Sequence, residues 1–196
     1  NSELASIIHD YDALMIRSGT QVTGDIINSS KKLRIIGRAG VGVDNVDVKA
    51  ATQKGVLVVN SPGGNTIAAA EHTIAMMLAL SRNIPIANSS TFLGKWERKK
   101  FVGNELFKKK LGVVGLGKIG THVAKVANAL GMDVYGYDPF VSSERAQQLQ
   151  VRLSELKTLF EESDYVTLHL PRTAETENLV NMKVLKSMKK NAKLIN

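Results

Sequence analysis

The chain of 196 residues has no cysteine, which excludes disulfides, thiolate metal centres and cysteine nucleophiles and agrees with a reducing cytoplasm. No apolar run approaches the roughly 20 residues that a membrane span requires, and no charged, apolar and small-residue signal segment opens the chain. A soluble protein with no membrane partner is expected. Four histidines, His9, His72, His122 and His169, show no HExxH or other ligand spacing, so no metal site is expected. Internal repeats and low-complexity segments are also missing. The formal charge of +8 and pI of about 9.7 raise the question of nucleic acid. The basic residues, however, fall in short dispersed clusters at Lys31-Lys32, Arg98 to Lys100, Lys108 to Lys110 and Lys189-Lys190, without an aromatic stacking motif or helix-turn-helix pattern. Solvated faces, or attraction of a small anionic substrate, account for them; no nucleic-acid partner is expected.

What is present is organised around Leu111 to Asp138. An apolar run, Leu111 to Val114, leads into Gly115-Leu116-Gly117-Lys118-Ile119-Gly120, which spells G-x-G-x-x-G where a strand turns into a helix. Gly115 permits the turn, Gly117 lets a pyrophosphate approach the backbone, and Gly120 lets helix and strand pack closely. The anion then meets unpaired N–H groups and the positive end of the helix dipole. Ile119, Val123, Val126, Ala127 and Leu130 share one helical face, and Gly131 stands where a C-terminal cap belongs. A second strand, Asp133 to Tyr137, ends in Asp138, an acid positioned for the adenosine ribose. Pro139 and Phe140 follow it rather than a basic residue, so NAD is expected over NADP.

In chain order, the spacing predicts a helix over Asn1 to Ile8, a strand over Ala13 to Ile16, a helix over Thr23 to Ser29 and a strand over Leu33 to Gly37. A helix over Val48 to Lys54, stopped by Gly55, and a strand over Val56 to Asn60 follow. Alternation of this kind implies a parallel sheet, whose ligands bind at the carboxyl ends of the strands. Arg17, Ser18, Arg38 and Gly40 fall at those ends. Two arginines there grip a carboxylate or phosphate, unless they pair with local acids such as Asp44. Asn65 to Ser81 reads as a long helix packing through Ala68, Ala69, His72, Ala75, Met76 and Ala79. Ile86 to Leu93 reads as a further helix, and Gly94 to Lys110 as a basic arm, either a dimer contact anchored by Trp96 or a solvated loop. Beyond Asp138 come helices over Ser143 to Gln150 and Ser154 to Glu162, the latter capped by Ser154. A strand over Tyr165 to Leu168, a helix over Asn181 to Lys190 and a strand over Ala192 to Ile195 complete the chain. The chain is expected to start in mid-fold, with a preceding strand missing.

Ile16-Arg17-Ser18, the GRAGVGVDNVD run from Gly37, NSPGGN from Asn60, AEHT from Ala70, GLGKIG and Tyr137-Asp138-Pro139 together resemble the D-isomer-specific 2-hydroxyacid dehydrogenases over nearly the whole chain. The KWERKKF stretch from Lys95 is most similar to members that act on a phosphorylated hydroxy acid. The resemblance implies an α/β fold of two parallel-sheet domains. These are a partial flavodoxin-like substrate domain over 1–62 and the first part of a Rossmann NAD-binding domain over 111–196, joined by an interdomain helix and dimerisation arm over 63–110. It implies that Arg17, Ser18 and Arg38, with Arg98 from a partner subunit, hold a substrate phosphate. Gly40 and Asn65 face the substrate and Val41 the nicotinamide side. Lys118 and Ile119 flank the pyrophosphate, and Leu170 and Pro171 the nicotinamide end. It implies a homodimer or tetramer. The arginine, glutamate and histidine of the family's chemistry belong to a segment after Asn196, so no catalytic residue is expected here and the segment alone is expected not to turn over. Two other readings stay open: a family member acting on an unphosphorylated hydroxy acid, and a non-enzymatic NAD-sensing corepressor sharing the fold.

Overall fold

A computed structural model describes residues 2–196, which form two compact units, one ending at Asn65 and the other spanning Thr66–Asn196. The helix expected over Asn1 to Ile8 begins on a residue outside the described ones; from Ser2 onward it is helix α1 (Ser2–Ile7), followed by a 3-10 turn, Ile8–Asp10.

In the first unit, strands β1 (Ala13–Ile16), β2 (Ile35–Arg38) and β3 (Leu57–Asn60) form a parallel sheet in chain order, with Ile16 opposite Arg38 and Arg38 opposite Asn60. Helices α2 (Gly24–Ser29) and α3 (Val48–Lys54) are the crossovers. Ile8, Ile16, Ile26, Ile27, Ile36, Ala51 and Val56 make one apolar core. Helix α3 starts on Asp47, whose carboxylate accepts the Ala50 N–H, and stops at Gly55 with φ 72°, as the sequence requires. Lys54 then reaches the end of α2, donating from Nζ to the carbonyls of Ile27, Asn28 and Ser30. That ammonium satisfies carbonyls that a six-residue helix leaves open.

The second unit holds a five-stranded parallel sheet in the order β6-β5-β4-β7-β8. Its strands are β4 (Lys110–Val114), β5 (Asp133–Tyr137), β6 (Arg152–Leu153), β7 (Tyr165–Leu168) and β8 (Lys193–Ile195). The helices are α4 (Thr66–Ser81), α5 (Ile84–Phe92), α6 (Lys118–Ala129), α7 (Ser143–Gln148), α8 (Leu156–Glu162) and α9 (Met182–Ser187). From β4 the chain winds outward through β5 and β6, then returns to β7 on the other side. The carboxyl end of β4 is therefore the switch point, where a parallel sheet opens a crevice for a ligand.

Helix α4 corrects the expected packing face. Ala70, Thr73, Ile74, Met77 and Ser81 are buried, whereas Ala68, His72 and Ala75 are exposed. The helix is apolar on all sides, so periodicity could not choose the inward face. Ala70, Ile74 and Met77 join the core of Leu111, Val113, Val123, Ala127 and Tyr165, and the Ser81 and Tyr165 hydroxyls lie 2.7 Å apart inside it. On α6, Val123 and Ala127 are buried as expected, but Leu130 is exposed. Ser154 does not cap α8: the cap position is Glu155, and the Ser154 hydroxyl donates instead to the Glu155 carbonyl at 3.3 Å. The two-residue β6 is too short to leave a sequence pattern. Among the described residues, no helix is long and apolar enough to cross a membrane.

Candidate functional site

The carboxyl end of the first sheet carries a polar cavity of about 380 Å³, lined by Arg17, Ser18, Arg38, Ala39, Gly40, Ser61, Gly64 and Asn65. Each strand contributes the loop that follows it. The Ala39 N–H donates to the Ile16 carbonyl at 2.9 Å, and the Ser61 N–H to Gly40 at 3.0 Å. The Asn60 amide donates to Val41 at 2.6 Å. These bonds splice the three loops into one rim. The buried Asn45 amide donates to the carbonyls of Arg17 at 3.0 Å and Thr20 at 2.7 Å, fixing the loop that carries Arg17 and Ser18.

Arg38 is placed by its neighbour. A Cβ on Gly40 would lie 1.8 Å from the Arg38 Nη1, so the guanidinium occupies the space that only glycine leaves. Its Nε is buried without a hydrogen-bond partner. No ion pair joins Arg17 or Arg38 to Asp44 or to any other acid among the described residues. Two guanidiniums without a carboxylate, beside Ser18, Ser61 and Asn65, leave the cavity with uncompensated positive charge and suit an anion. Of the sequence-expected substrate residues, five line it. Arg98 belongs to the other unit, on an exposed 3-10 turn (Arg98–Phe101), and Val41 stands outside the lining.

In the second unit the three glycines of the loop after β4 separate by function. Gly115, at φ 92°, donates its N–H to Tyr137 at 2.8 Å, and a Cβ there would meet the His169 carbonyl at 2.6 Å. A Cβ on Gly120 would stand 1.9 Å from the Gly115 carbonyl oxygen, so helix α6 can approach the turn only without one. A Cβ on Gly117 would point into open space. Gly117 caps α6, so the first N–H groups of a 12-residue helix are presented there, with Lys118 and Ile119 in the first turn.

Asp138 closes this loop. Its Oδ2 accepts the Leu116 N–H at 2.8 Å and its Oδ1 the Phe140 N–H at 2.9 Å, a role the sequence did not reveal; each oxygen keeps a lone pair for a further donor. Beyond β7, Leu170 and Pro171 line a cavity of about 430 Å³ with Leu168, Arg172, Thr176 and Asn178. Leu170 abuts the loop, since its Cδ2 would lie 2.9 Å from a Cβ on Gly115. Between them, burial drives the His169 imidazole down to about 4, and its Nε2 lies 3.0 Å from the Thr167 hydroxyl. It is a neutral ring at physiological pH. Among the described residues, no cluster of three or more acids and histidines is placed to hold a metal ion.

Sequence reasoning missed Ala39, Ser61 and Gly64 in the first cavity, and Asn45 and Asn60 as its anchors. A turn cluster at the carboxyl end of β3, Ser61 to Asn65, was the available signal for two of them.

The model of the D-isomer specific 2-hydroxyacid dehydrogenase NAD binding domain matches residues 74–196. The chain is 59% identical over 195 residues to D-3-phosphoglycerate dehydrogenase of Synechocystis sp., covering 100% of this chain and 35% of that protein. It is 53% identical to the enzyme of the same name from Archaeoglobus fulgidus, covering 99% of this chain and 37% of the relative. The chain thus spans little more than a third of these relatives. Among solved structures, NAD-dependent formate dehydrogenase from Staphylococcus aureus in complex with NAD superposes with a TM-score of 0.91 at 30% identity, covering 100% of this chain and 60% of the other. D-Lactate dehydrogenase from Aquifex aeolicus, complexed with NAD and lactic acid, gives 0.89 at 29% identity, covering 98% and 58%. With a glycine loop at the switch point and a family match over more than half its length, the chain belongs to the D-isomer-specific 2-hydroxyacid dehydrogenases and carries their NAD-binding domain.

Proposed function

We propose that the protein to which this chain belongs oxidises 3-phospho-D-glycerate to 3-phosphohydroxypyruvate with NAD, the first step of phosphorylated serine synthesis. The observation that carries this reading is the pair Arg17 and Arg38 around one cavity without an acidic partner, in a chain whose relatives at 53% and 59% identity are named for that substrate. An unphosphorylated hydroxy acid carries one negative charge and leaves one guanidinium uncompensated.

Arg17, Ser18 and Arg38 bind the phosphate, with Arg98 of a second subunit completing the grip. Gly40 and Asn65 orient the carboxylate end, and the Val41 backbone faces the nicotinamide. Gly115, Gly117 and Gly120, with Lys118 and Ile119, cradle the pyrophosphate. Asp138 accepts from the ribose hydroxyls, and Leu170 and Pro171 exclude water from the nicotinamide end. NAD, when bound, supplies the hydride acceptor for C2. No residue of this chain is assigned the hydroxyl proton: His169 stays neutral to about pH 4 and is engaged by Thr167. The resemblance gives that proton to a histidine–glutamate pair of the family that has no counterpart among the residues of this chain. Phe92, Leu93, Trp96 and Val102, 70 to 89% exposed, form an apolar surface around the arm that supports a homodimeric or higher assembly. We place the enzyme in the cytoplasm.

The test compares 3-phosphoglycerate with unphosphorylated 2-hydroxy acids in the full-length protein, wild type and Arg17→Ala. The expected result is strong preference for the phosphorylated acid, with Arg17→Ala raising its KM by about a hundredfold and leaving turnover of unphosphorylated acids unchanged. Equal efficiency on both classes would overturn the assignment.

A further inference from the structure

The five-stranded sheet has a second charged site at its amino end, opposite the glycine loop. There a cavity of about 320 Å³ is lined by Lys109, Lys189, Lys190 and Lys193, with Asp164 and Asn191 between them. The arrangement gathers what is dispersed in the sequence. Residues 183–193 contain five lysines and no acid, and β7 and β8, paired with Tyr165 opposite Lys193, bring that segment beside the strand that follows Lys109.

Asp164 is the one carboxylate in the lining, and it is already engaged. It accepts the Lys110 N–H at 2.9 Å and the Lys189 ammonium at 2.8 Å. Burial raises its carboxyl, but those two bonds and the nearby charges of Lys189 and Lys109 outweigh burial and hold it below the usual range. It therefore stays a single fixed negative charge. Lys193 lies over the Tyr165 ring, 5.2 Å from its centroid. The Lys109 and Lys190 ammoniums are in no hydrogen bond or ion pair among the described residues, although the Lys109 charge is near enough to Asp164 to lower it. In the lining four lysines face one carboxylate, an excess of three positive charges; Glu162, near enough to Lys189 to be lowered by it, is paired with the Lys110 ammonium at 2.9 Å and leaves that excess unchanged. Like charges that share one lining repel one another, and an anion bound among them relieves that repulsion.

From this convergence we propose that the cavity is a binding site for a small oligophosphate, a chain of two or three phosphoryl groups carried free or on a nucleotide. A carboxylate brings one charge and would leave two ammoniums uncompensated. No arginine fork lines the cavity to grip a planar anion, whereas lysine ammoniums act as point charges that suit phosphoryl oxygens. The site is separate from the pyrophosphate cradle and does not rest on the identity of the oxidised substrate.

The test is calorimetric titration of the full-length protein with inorganic pyrophosphate at low ionic strength and saturating NAD, so that the glycine loop is filled. Saturable binding is expected, weakening as salt is added. Lys109→Glu with Lys190→Glu should weaken it by about tenfold or more, while Lys109→Arg with Lys190→Arg retains it. Lys183→Glu with Lys186→Glu, the same charge change on exposed residues of α9 outside the lining, should change it less than about twofold. ATP serves as the second probe: tighter binding than pyrophosphate points to a nucleotide-borne chain, equal binding to the free anion, and both uphold the site. No saturable binding, displacement by NAD, or an equal loss in the α9 control would overturn it. Preferential binding of a DNA duplex, lost in the Lys109/Lys190 variant, would overturn it as well by reassigning the surface to nucleic acid.

Discussion

The cavity of the first unit and the glycine loop of the second both offer an anion site at the carboxyl end of a parallel sheet, but they are made of different material. In the first, charge comes from the side chains of Arg17 and Arg38, and the backbone only aims them. In the second, the loop itself presents N–H groups at the start of α6, and Gly120 is needed for the loop to exist. A side-chain site can be emptied without touching the fold. A backbone site can be blocked without touching the fold only where its glycine faces open space, not where it faces backbone, and three substitutions test that division.

Gly120→Ala has the largest expected effect. The added methyl meets a backbone oxygen at 1.9 Å, so strand and helix must separate. The expected cost is about 3 kcal/mol of stability, with NAD binding lost, read by urea unfolding and by nucleotide titration of the full-length protein. An unfolding midpoint equal to wild type would break the comparison. Gly117→Ala should do the reverse. Its methyl enters open space, so stability stays within about 0.5 kcal/mol while NAD affinity falls ten- to thirtyfold, roughly 1.4 to 2 kcal/mol, because the pyrophosphate can no longer approach. Gly40→Ala sharpens the contrast in the other unit. Here the methyl meets the far end of a flexible side chain, the Arg38 guanidinium, which can move aside. The KM for 3-phosphoglycerate should rise about tenfold with NAD affinity unchanged, and the φ of 156° at Gly40, unfavourable for a residue with a Cβ, should cost about 1 kcal/mol of stability, well short of the Gly120 effect.

The smallest effect concerns pH. His169, held neutral by burial down to about pH 4, costs stability once the unfolded chain can take up a proton and the folded one cannot. Stability should therefore fall as pH drops from about 6.5 to about 4 and change no further through this group below that. Its partial exposure limits the loss to about 1 kcal/mol. Urea unfolding at pH 7 and pH 4.5 should show this difference in wild type and not in His169→Gln; an unaltered difference in the variant would assign it to other groups.

The unit from β4 to Asp138 was legible in the sequence because everything that defines it is local: an apolar run, three glycines, a helical face and an acid within 28 residues. The strand ends bearing Arg17 and Arg38 were legible for the same reason. What was hidden depends on distant pairing. Asn45 acts on carbonyls 25 and 28 residues earlier in the chain, and Lys54 caps a helix 24 to 27 residues before it. The inward face of α4 was hidden because its apolar residues surround the helix, so only the neighbours decide which side is buried. The lysines at the amino end of the second sheet read as scattered clusters, since residues 109 and 189 become neighbours only through the pairing of β7 with both β4 and β8.

Asp138 carries a consequence for redesign of the cofactor pocket. A carboxylate at this position is an obvious target for anyone wishing to admit a 2′-phosphate, since its charge repels one. Here the same two oxygens tie Leu116 of the glycine turn to Phe140 beyond β5. Replacing Asp138 with alanine would release the turn together with the charge, so tolerance for the bulkier nucleotide would come with a slackened cradle. Asparagine, which removes the charge and keeps an amide oxygen for the Leu116 N–H, is the substitution that separates selectivity from scaffold.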